Sequence, residues 1–361
     1  MAVKGILMAG GKGTRLRPIT YAIPKPLVPI AGLSCMEYPI RSFAEAGIKD
    51  IVVTTGYKFE SLISGVIQQK HANLNIIFSV EREPAGTAGS IKAIQGFLND
   101  TFVVASGDVL ADFNIKDILK AHIKSKAIAT IVLTEVDDPT QFGIVETKNN
   151  MVVRFLEKPL QNEIFSNMVN AGIYVFEPEI FDHIPENQTY DFAKELFPKL
   201  LKEGIAINTY IGKGAWLDTG RPRELIMANK LMANKYGIEM NEPFIKGRMI
   251  IKERPIGHDF TIEGSCYLGE GVKIGTGAKV VNSTVYNNVA IGDNTEIIDS
   301  ILFENCIIKN NSKISKSLLM KNTTIGKDCE IQESALSANL NIQDRSKIYN
   351  VSLSSENDST D

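Results

Sequence analysis

Several absences narrow the possibilities before any motif is read. The 361-residue chain has four cysteines, Cys35, Cys266, Cys306 and Cys329, scattered and without a CxxC pair. That spacing supports neither a zinc site nor a disulfide framework and suits a reducing cytoplasm. No apolar run reaches the length of a membrane span, and the first residues lack the apolar core of a signal peptide, so no membrane association is expected. Charge is nearly balanced, −3 overall with 22% charged residues, which leaves no broad basic field for nucleic acid. Any positive potential must be local. What is present is globular material, 44% hydrophobic, in a chain long enough for two domains.

Two rhythms divide the chain. Up to residue 236, short β-branched runs at 51–54, 101–104 and 130–133 alternate with helix-spaced stretches at 36–46, 59–70 and 115–125. This predicts an α/β domain over 1–236: a Rossmann-like, mainly parallel sheet with helices on both faces. Ligands then belong beyond the carboxyl ends of the strands. A last helix over 222–236 stops at Gly237, and 237–261, with Pro243 and Pro255, reads as an irregular linker.

From Leu268 onward, aliphatic residues recur at 274, 280, 285, 291, 297, 302, 308, 314, 319, 325, 331, 336, 342 and 348, in steps of six, six and five. A 17-residue unit with one inward aliphatic residue per face is a hexapeptide-type coil, three faces to the turn, each coil stacked on the next. Serine keeps the same interval at 283, 300, 317 and 334. About five coils over 262–353 are expected, then a polar, aperiodic and disordered tail over 354–361.

The N-terminal segment carries chemistry. A strand over 3–8 runs directly into Ala9, Gly10, Gly11, Lys12, Gly13, Thr14 and Arg15, and Lys25 follows. Glycines bring backbone N–H groups close to a ligand, and Lys12, Arg15 and Lys25 add fixed charge, a combination suited to a polyphosphate. The spacing is neither that of a Walker loop nor GxGxxG. The whole string GGKGTRLRPIT…KP, residues 10–26, resembles the signature of the sugar-1-phosphate nucleotidylyltransferases. The hexapeptide rhythm in turn resembles the left-handed parallel β-helix found behind several nucleotidylyltransferase domains.

The resemblance continues in family order along the N-terminal half and implies roles for particular residues. Ala9, Gly10, Gly11, Gly13, Thr14, Arg15, Lys25, Gly107 and Asp108 would hold the nucleotide, with Gly86 and Thr87 of Gly86-Thr87-Ala88-Gly89-Ser90 wrapping the nucleoside. Asp108, in Ser106-Gly107-Asp108 just after a strand, would hold Mg²⁺ against the phosphates, and Asp218, in Trp216-Leu217-Asp218-Thr219-Gly220, would share that metal. On the sugar side Glu157 would bond hydroxyls, Lys158 would grip the sugar phosphate, Asn170 would contact a hydroxyl and Gly143 would let the ring lie close to backbone. Trp216 suits core packing as well as a ligand contact.

The implied reaction joins a sugar 1-phosphate to a nucleoside triphosphate with loss of pyrophosphate. Two anions must be brought together, so the protein's task is positioning and charge neutralisation: Arg15 and Lys25 for the triphosphate, Lys158 for the nucleophile, Asp-bound Mg²⁺ for the α-phosphate. A phosphate nucleophile is already ionised at neutral pH and needs no general base. Accordingly His71, His122 and His183 lie outside every motif and are expected to be structural or exposed.

Two readings of other classes stand beside this one. A non-catalytic regulatory or assembly subunit would have lost motif residues, whereas Arg15, Lys25, Asp108, Lys158 and Asp218 are all present. An acyltransferase β-helix would need a histidine base, and His258, ahead of the regular coils, is its one candidate. The β-helix is therefore expected to be structural, or to form a homo-oligomer through flat faces. Finally, the segment Glu81-Arg82-Glu83-Pro84-Ala85-Gly86 looks more like the mannose-1-phosphate guanylyltransferases than the thymidylyl- or uridylyltransferases, which often carry Gln near Glu81. A carboxylate can accept both guanine N1–H and the exocyclic amine. GTP with mannose 1-phosphate is thus expected, with glucose-1-phosphate thymidylyl-, uridylyl- or adenylyltransferase as the alternatives.

Overall fold

In the computed structural model, which describes residues 3–69 and 71–354, the β-branched runs of the N-terminal half become one nine-stranded sheet. Its strands are β1 (Lys4–Met8), β2 (Asp50–Thr55), β3 (Asn75–Val80), β4 (Phe102–Ser106), β5 (Ala129–Glu135), β6 (Gly143–Lys148), β7 (Met151–Glu157), β8 (Met168–Phe176) and β9 (Ile207–Ile211). They lie in the order β3-β2-β1-β4-β8-β5-β9-β7-β6. The pairs among β3, β2, β1 and β4, and the pair β5/β9, are parallel. β8 runs antiparallel to β4 and β5, and β7 to β9 and β6, so the Rossmann-like sheet is mixed beyond its first four strands. A further ribbon pairs Val109–Phe113 with Gly214–Asp218.

The helices follow the apolar spacing: α1 (Glu37–Glu45), α2 (Phe59–Gln68), α3 (Gly86–Lys92) and α4 (Ile115–Ser125). In α4 the Asn114 side chain accepts from the Asp117 N–H at 3.3 Å, and Lys126 at φ 57 ends the helix. One face, with Ile115, Ile118, Leu119 and His122, is buried. The core of this half gathers Phe102, Tyr174, Phe176, Phe181, Phe192 and Phe197.

By contacts the chain forms two compact units: Met1–Gly11 with Cys35–Leu217, and Lys12–Ser34 with Asp218–Asp361. The second holds 12–34 and continues from Asp218 into α5 (Pro222–Tyr236), the helix expected from the sequence. The fully buried Asn229 on α5 explains why 12–34 belongs here. Its Oδ1 accepts the Ala31 N–H at 2.7 Å and the Thr284 and Tyr286 hydroxyls at 3.3 Å each, while its Nδ2 donates to the Leu225 carbonyl.

Residues 237–261 correct the expectation of an irregular linker. Ile238–Asn241 and Ile245–Ile251 form an antiparallel ribbon, and the second strand then pairs in parallel with Thr261–Leu268 from Ile245↔Ile262 to Ile251↔Leu268. The alternation that drives this is short, but it buries Ile245 and Met249 in the core of the coils.

Beyond Thr261 the chain is a left-handed parallel β-helix of hexapeptide type. Strands 17 residues apart stack in register on each of three faces, for example Val280↔Ile297↔Ile314↔Ile331↔Ile348, Leu302↔Leu319↔Leu336 and Ile291↔Ile308↔Ile325. The inward aliphatic residues from Leu268 to Leu336 form one buried cluster, with Ile342 and Ile348 packed against its open end. The serine interval is a buried ladder. Ser283 Oγ accepts the Ser300 N–H, Ser300 Oγ the Ser317 N–H and Ser317 Oγ the Ser334 N–H, each at 3.1 Å, and these hydroxyls donate to the carbonyl two residues back at 2.7 Å. Corners take the left-handed conformation at 282, 288, 294, 299, 305, 311, 316, 322, 328, 333, 339, 345 and 350. Ten of those thirteen are asparagine or aspartate corners that tolerate this region through local hydrogen bonding, among them Asn288, Asn305, Asn322 and Asn339, whose side chains bond in series along the axis. On one face Lys279, Glu296, Lys313, Glu330 and Lys347 alternate in charge from coil to coil. The expected disordered tail lies outside the described residues apart from Ser354. Among the described residues no helix is long and apolar enough to cross a membrane.

Candidate active site

Parallel registry brings four chain segments to one edge of the first unit. The Ala9 N–H donates to the Thr54 carbonyl, the Glu81 N–H to the Thr55 carbonyl and the Gly107 N–H to the Met8 carbonyl, each at 2.8 Å. Gly10, Gly11, Glu81, Gly107 and Asp108 therefore leave the sheet together, at the carboxyl ends where a ligand was expected. Asp108 turns back to the glycine loop: its Oδ2 lies 3.9 Å from the position a Cβ would take on Gly11.

In the second unit the loop continues through Gly13, which adopts φ 62 ahead of the short turn Thr14–Leu16, a conformation that costs glycine little. Thr20 Oγ1 donates to the Gly13 carbonyl at 2.9 Å and fixes that turn. Arg15 and Lys25 converge on one acid, with Arg15 Nη2 3.1 Å from Asp218 Oδ2 and Lys25 Nζ 3.1 Å from Asp218 Oδ1. Lys25 is 5% exposed and Arg15 51%. Burial pushes the Asp218 carboxyl up, but Lys25 and Arg15 outweigh it and hold the group below the ordinary carboxylate range. The three charges form a site with excess positive charge on a shielded base.

The sugar-side residues of the first unit also gather. Glu157, at the end of β7, places Oε2 2.7 Å from where a Cβ on Gly143 would stand, so only glycine leaves room for this carboxylate. Burial raises the Glu157 pKa; the neighbouring Lys158 opposes this, Asp191 adds to it and Lys194 opposes it. Lys158 is held at φ 49, and its N–H donates to the Phe142 carbonyl at 3.0 Å. Asn170 donates from Nδ2 to the Tyr174 hydroxyl at 2.9 Å and accepts the Gly172 N–H at 3.0 Å, so its amide is oriented by the fold. Trp216 donates from Nε1 to the Ala171 carbonyl at 2.9 Å and packs edge-on against Phe142, a packing role.

The segment Gly86–Ser90 has partners that motif reading missed. The Ala88 and Gly89 N–H groups donate to the Tyr190 carbonyl at 2.9 and 3.0 Å, and the Tyr190 N–H donates back to the Ala85 carbonyl at 2.9 Å. Thr87 Oγ1 donates to Asp191 Oδ2 and accepts the Phe192 N–H, both at 2.9 Å. Asp191 also caps the turn Phe192–Leu196 through the Ala193 and Lys194 N–H groups. An acid before a helical run, with Glu195 reaching back to the Asp191 N–H at 2.7 Å, is a capping pattern that the sequence displays. Its pairing with Thr87 is not visible there, because 104 residues separate them.

The histidines lie elsewhere: His71 on Glu37, His122 buried between Thr130 and Glu177, His183 on Glu203, and His258 exposed beside Asp259. Among the described residues no cluster of three or more His, Cys, Asp or Glu side chains could by itself hold a metal ion. The acids present nevertheless suit Mg²⁺, which commonly takes one or two carboxylates and completes its shell with substrate phosphates and water. Each Asp218 oxygen accepts one cationic donor and keeps a second lone pair for a metal.

Residues 4–235 match the family described as Nucleotidyl transferase, and 275–358 match GlmU-like, C-terminal hexapeptide. The chain is 35% identical over 256 residues to mannose-1-phosphate guanyltransferase 2 of Candida glabrata, covering 69% of this chain and 70% of that protein. It is 32% identical over 305 residues to the UTP–glucose-1-phosphate uridylyltransferase of Synechocystis sp., covering 78% of each. Among solved structures, HddC from Yersinia pseudotuberculosis complexed with GMP-PN superposes with a TM-score of 0.55 at 26% identity, over 63% of this chain and 98% of that one.

Proposed function

The chain belongs to the nucleotidyl transferase family and is a sugar-1-phosphate nucleotidyltransferase; within that class we propose that it joins GTP to mannose 1-phosphate, giving GDP-mannose and pyrophosphate. The observation that carries the chemistry is the seating of Lys25 and Arg15 on the two oxygens of Asp218. Both cations are prepaired and aligned, so they meet a triphosphate with little reorganisation.

A non-bridging oxygen of the sugar phosphate attacks the α-phosphorus, the new P–O bond forms, and the bond to the β-phosphate oxygen breaks with its electron pair leaving on pyrophosphate. Arg15 and Lys25 bind the triphosphate and stabilise the charge that builds on the leaving group. Lys158 holds the sugar phosphate in line, while Glu157 and Asn170 orient the ring over Gly143. The backbone N–H groups of Gly10, Gly11, Gly13 and Thr14 cradle phosphate, and Gly86 and Thr87 border the nucleoside. Mg²⁺, held by Asp108 and Asp218, would neutralise the α-phosphate. No side chain has to remove a proton, in keeping with the absence of histidine from the site. We place the reaction in the cytoplasm, and assign the flat faces of the β-helix to homo-oligomer contacts.

Support for the guanine and mannose choice comes from similar proteins named mannose-1-phosphate guanyltransferase, 34–35% identical across three yeasts, and from the acidic Glu81, whose backbone leaves the sheet at the same carboxyl-end edge as Ala9 and Gly107. A second reading, glucose 1-phosphate with UTP, is favoured by the longer match to the uridylyltransferase of Synechocystis sp.. Comparing kcat/KM for GTP and UTP in the unmodified enzyme and in Glu81→Gln separates the two. The guanine reading expects GTP to lead by about tenfold or more and the substitution to narrow that lead. An unmodified enzyme that prefers UTP would overturn it.

A further inference from the structure

An asparagine buried in the middle of a helix destabilises it unless every part of its amide is bonded, because the group loses water and competes with the backbone. Asn229 occupies such a place in α5, 1% exposed among the buried Leu225, Ala228, Met232 and Ala233, where a leucine would pack without any polar partner. What it holds is a strained turn. Pro29–Ile30 pairs with Leu33–Ser34 in a short hairpin, and its two tip residues, Ala31 and Gly32, are left-handed at φ 47 and 85. Alanine adopts that conformation unfavourably and keeps it only where neighbours impose it. The Ala31 N–H donates to Asn229 Oδ1 at 2.7 Å, the shortest of three donors on that oxygen. Beside it, a Cβ on Gly32 would stand 2.5 Å from Tyr267 Cε2, so the tip also rests on the wall of the β-helix.

A short path of chain ties this tip to the site. The Val28 N–H donates to the Lys25 carbonyl at 3.1 Å, which closes the turn Lys25–Leu27, and the hairpin starts at Pro29 directly after. On the opposite segment Asp218 stands just ahead of α5, whose first turn closes with the Leu225 N–H on the Arg221 carbonyl at 3.0 Å. Two links therefore join the same two segments: Ala31 to Asn229, and Lys25 with Arg15 to Asp218. A triphosphate competes with Asp218 for the two cations, so the ionic link weakens as the ligand binds. The Ala31 link, neutral and buried, does not. We propose that Asn229 is a positioning residue for the transferase reaction: by fixing Ala31 it sets where Lys25 and Arg15 present their charges to the triphosphate. The inference rests on the triphosphate role proposed above for those two cations.

Pyrophosphate-release kinetics of the full-length protein, varying each substrate of the pair it uses best, test this in Asn229→Leu, Asn229→Ser, Tyr286→Phe and Lys25→Met. Asn229→Leu keeps the volume, and Asn229→Ser keeps a donor for the Leu225 carbonyl; both remove the acceptor from Ala31. Each should raise KM for the triphosphate about tenfold or more while KM for the sugar 1-phosphate stays within about twofold. Tyr286→Phe spares the Ala31 bond and should leave both constants within about twofold. Asn229 variants that lose stability in urea yet keep both KM values overturn the inference, because packing alone then accounts for the residue. An equal rise for the two substrates, or the same rise in Tyr286→Phe, also overturns it. Should Asn229→Leu not fold, Asn229→Ser, the milder change, carries the test. Unchanged triphosphate kinetics in Lys25→Met refute the role of Lys25 and the inference with it; a raised KM there, with Asn229 variants unaltered, refutes the inference alone.

Discussion

Lys25→Met removes one charge from the Arg15–Asp218–Lys25 cluster while keeping most of the buried stem. Lys25 is 5% exposed and 3.1 Å from an Asp218 carboxylate that is itself only 18% exposed. Deleting one partner of a buried pair costs about 3–5 kcal/mol when the survivor is left alone. Here Asp218 keeps Arg15 and some access to water, so the expected loss of unfolding free energy is about 2 kcal/mol. Turnover should suffer more. Losing a preorganised cation beside the leaving pyrophosphate should lower kcat/KM for the triphosphate roughly 100- to 1000-fold, or about 3–4 kcal/mol. The pH dependence follows from the depressed Asp218 pKa. Such a group contributes stability above its unfolded pKa of about 3.9 and loses it as pH falls through the lower folded value. In Lys25→Met the burial remains and one cation is gone, so the folded pKa rises and the acid limb of the stability curve moves to higher pH. Urea unfolding from pH 7 down to about 3, with pyrophosphate-release kinetics, measures both effects. A variant with unchanged stability, acid limb and triphosphate kinetics refutes the reasoning.

Three other perturbations address separate parts of the molecule. Asp108→Asn should leave the fold intact and cut Mg²⁺-dependent turnover by about a thousandfold; near-normal rates remove Asp108 from the metal site. Lys158→Ala should raise KM for the sugar phosphate more than KM for the triphosphate, and the reverse pattern places the lysine on the other substrate. Ser317→Ala should orphan the buried Ser334 N–H and destabilise the β-helix by about 1–3 kcal/mol in thermal unfolding, whereas substituting the exposed Lys309 by Ala should change little; equal effects would deny the ladder its role.

The β-helix was legible because its constraint is repetitive: every coil needs an apolar residue at the same three inward positions, and Leu302, Leu319 and Leu336 announce this without any long-range information. Its corners carried a second signal in the recurring asparagines, blurred where Lys316, Glu333 and Arg345 take the same conformation. The segment 237–261 was misread because Pro243 and Pro255 suggest irregularity, while the parallel pairing of Ile245–Ile251 depends on a partner strand that the local pattern does not reveal. In the site, motif order carried the choice of Arg15, Lys25 and Asp218, but their convergence on one carboxylate joins residues about 200 apart. Asp191 was missed for the same reason, since its contact with Thr87 and its influence on Glu157 come from the folded chain alone.

The most direct test of the account crosses GTP, UTP, dTTP and ATP with the 1-phosphates of mannose, glucose, galactose and N-acetylglucosamine and measures pyrophosphate release. The account predicts Mg²⁺-dependent release with GTP and mannose 1-phosphate as the best pair, about tenfold or more above any other nucleotide. Faster release with UTP, dTTP or ATP would contradict the proposed specificity, and no release from any pair would contradict the assignment of Arg15, Lys25, Asp108, Lys158 and Asp218 to a working active site.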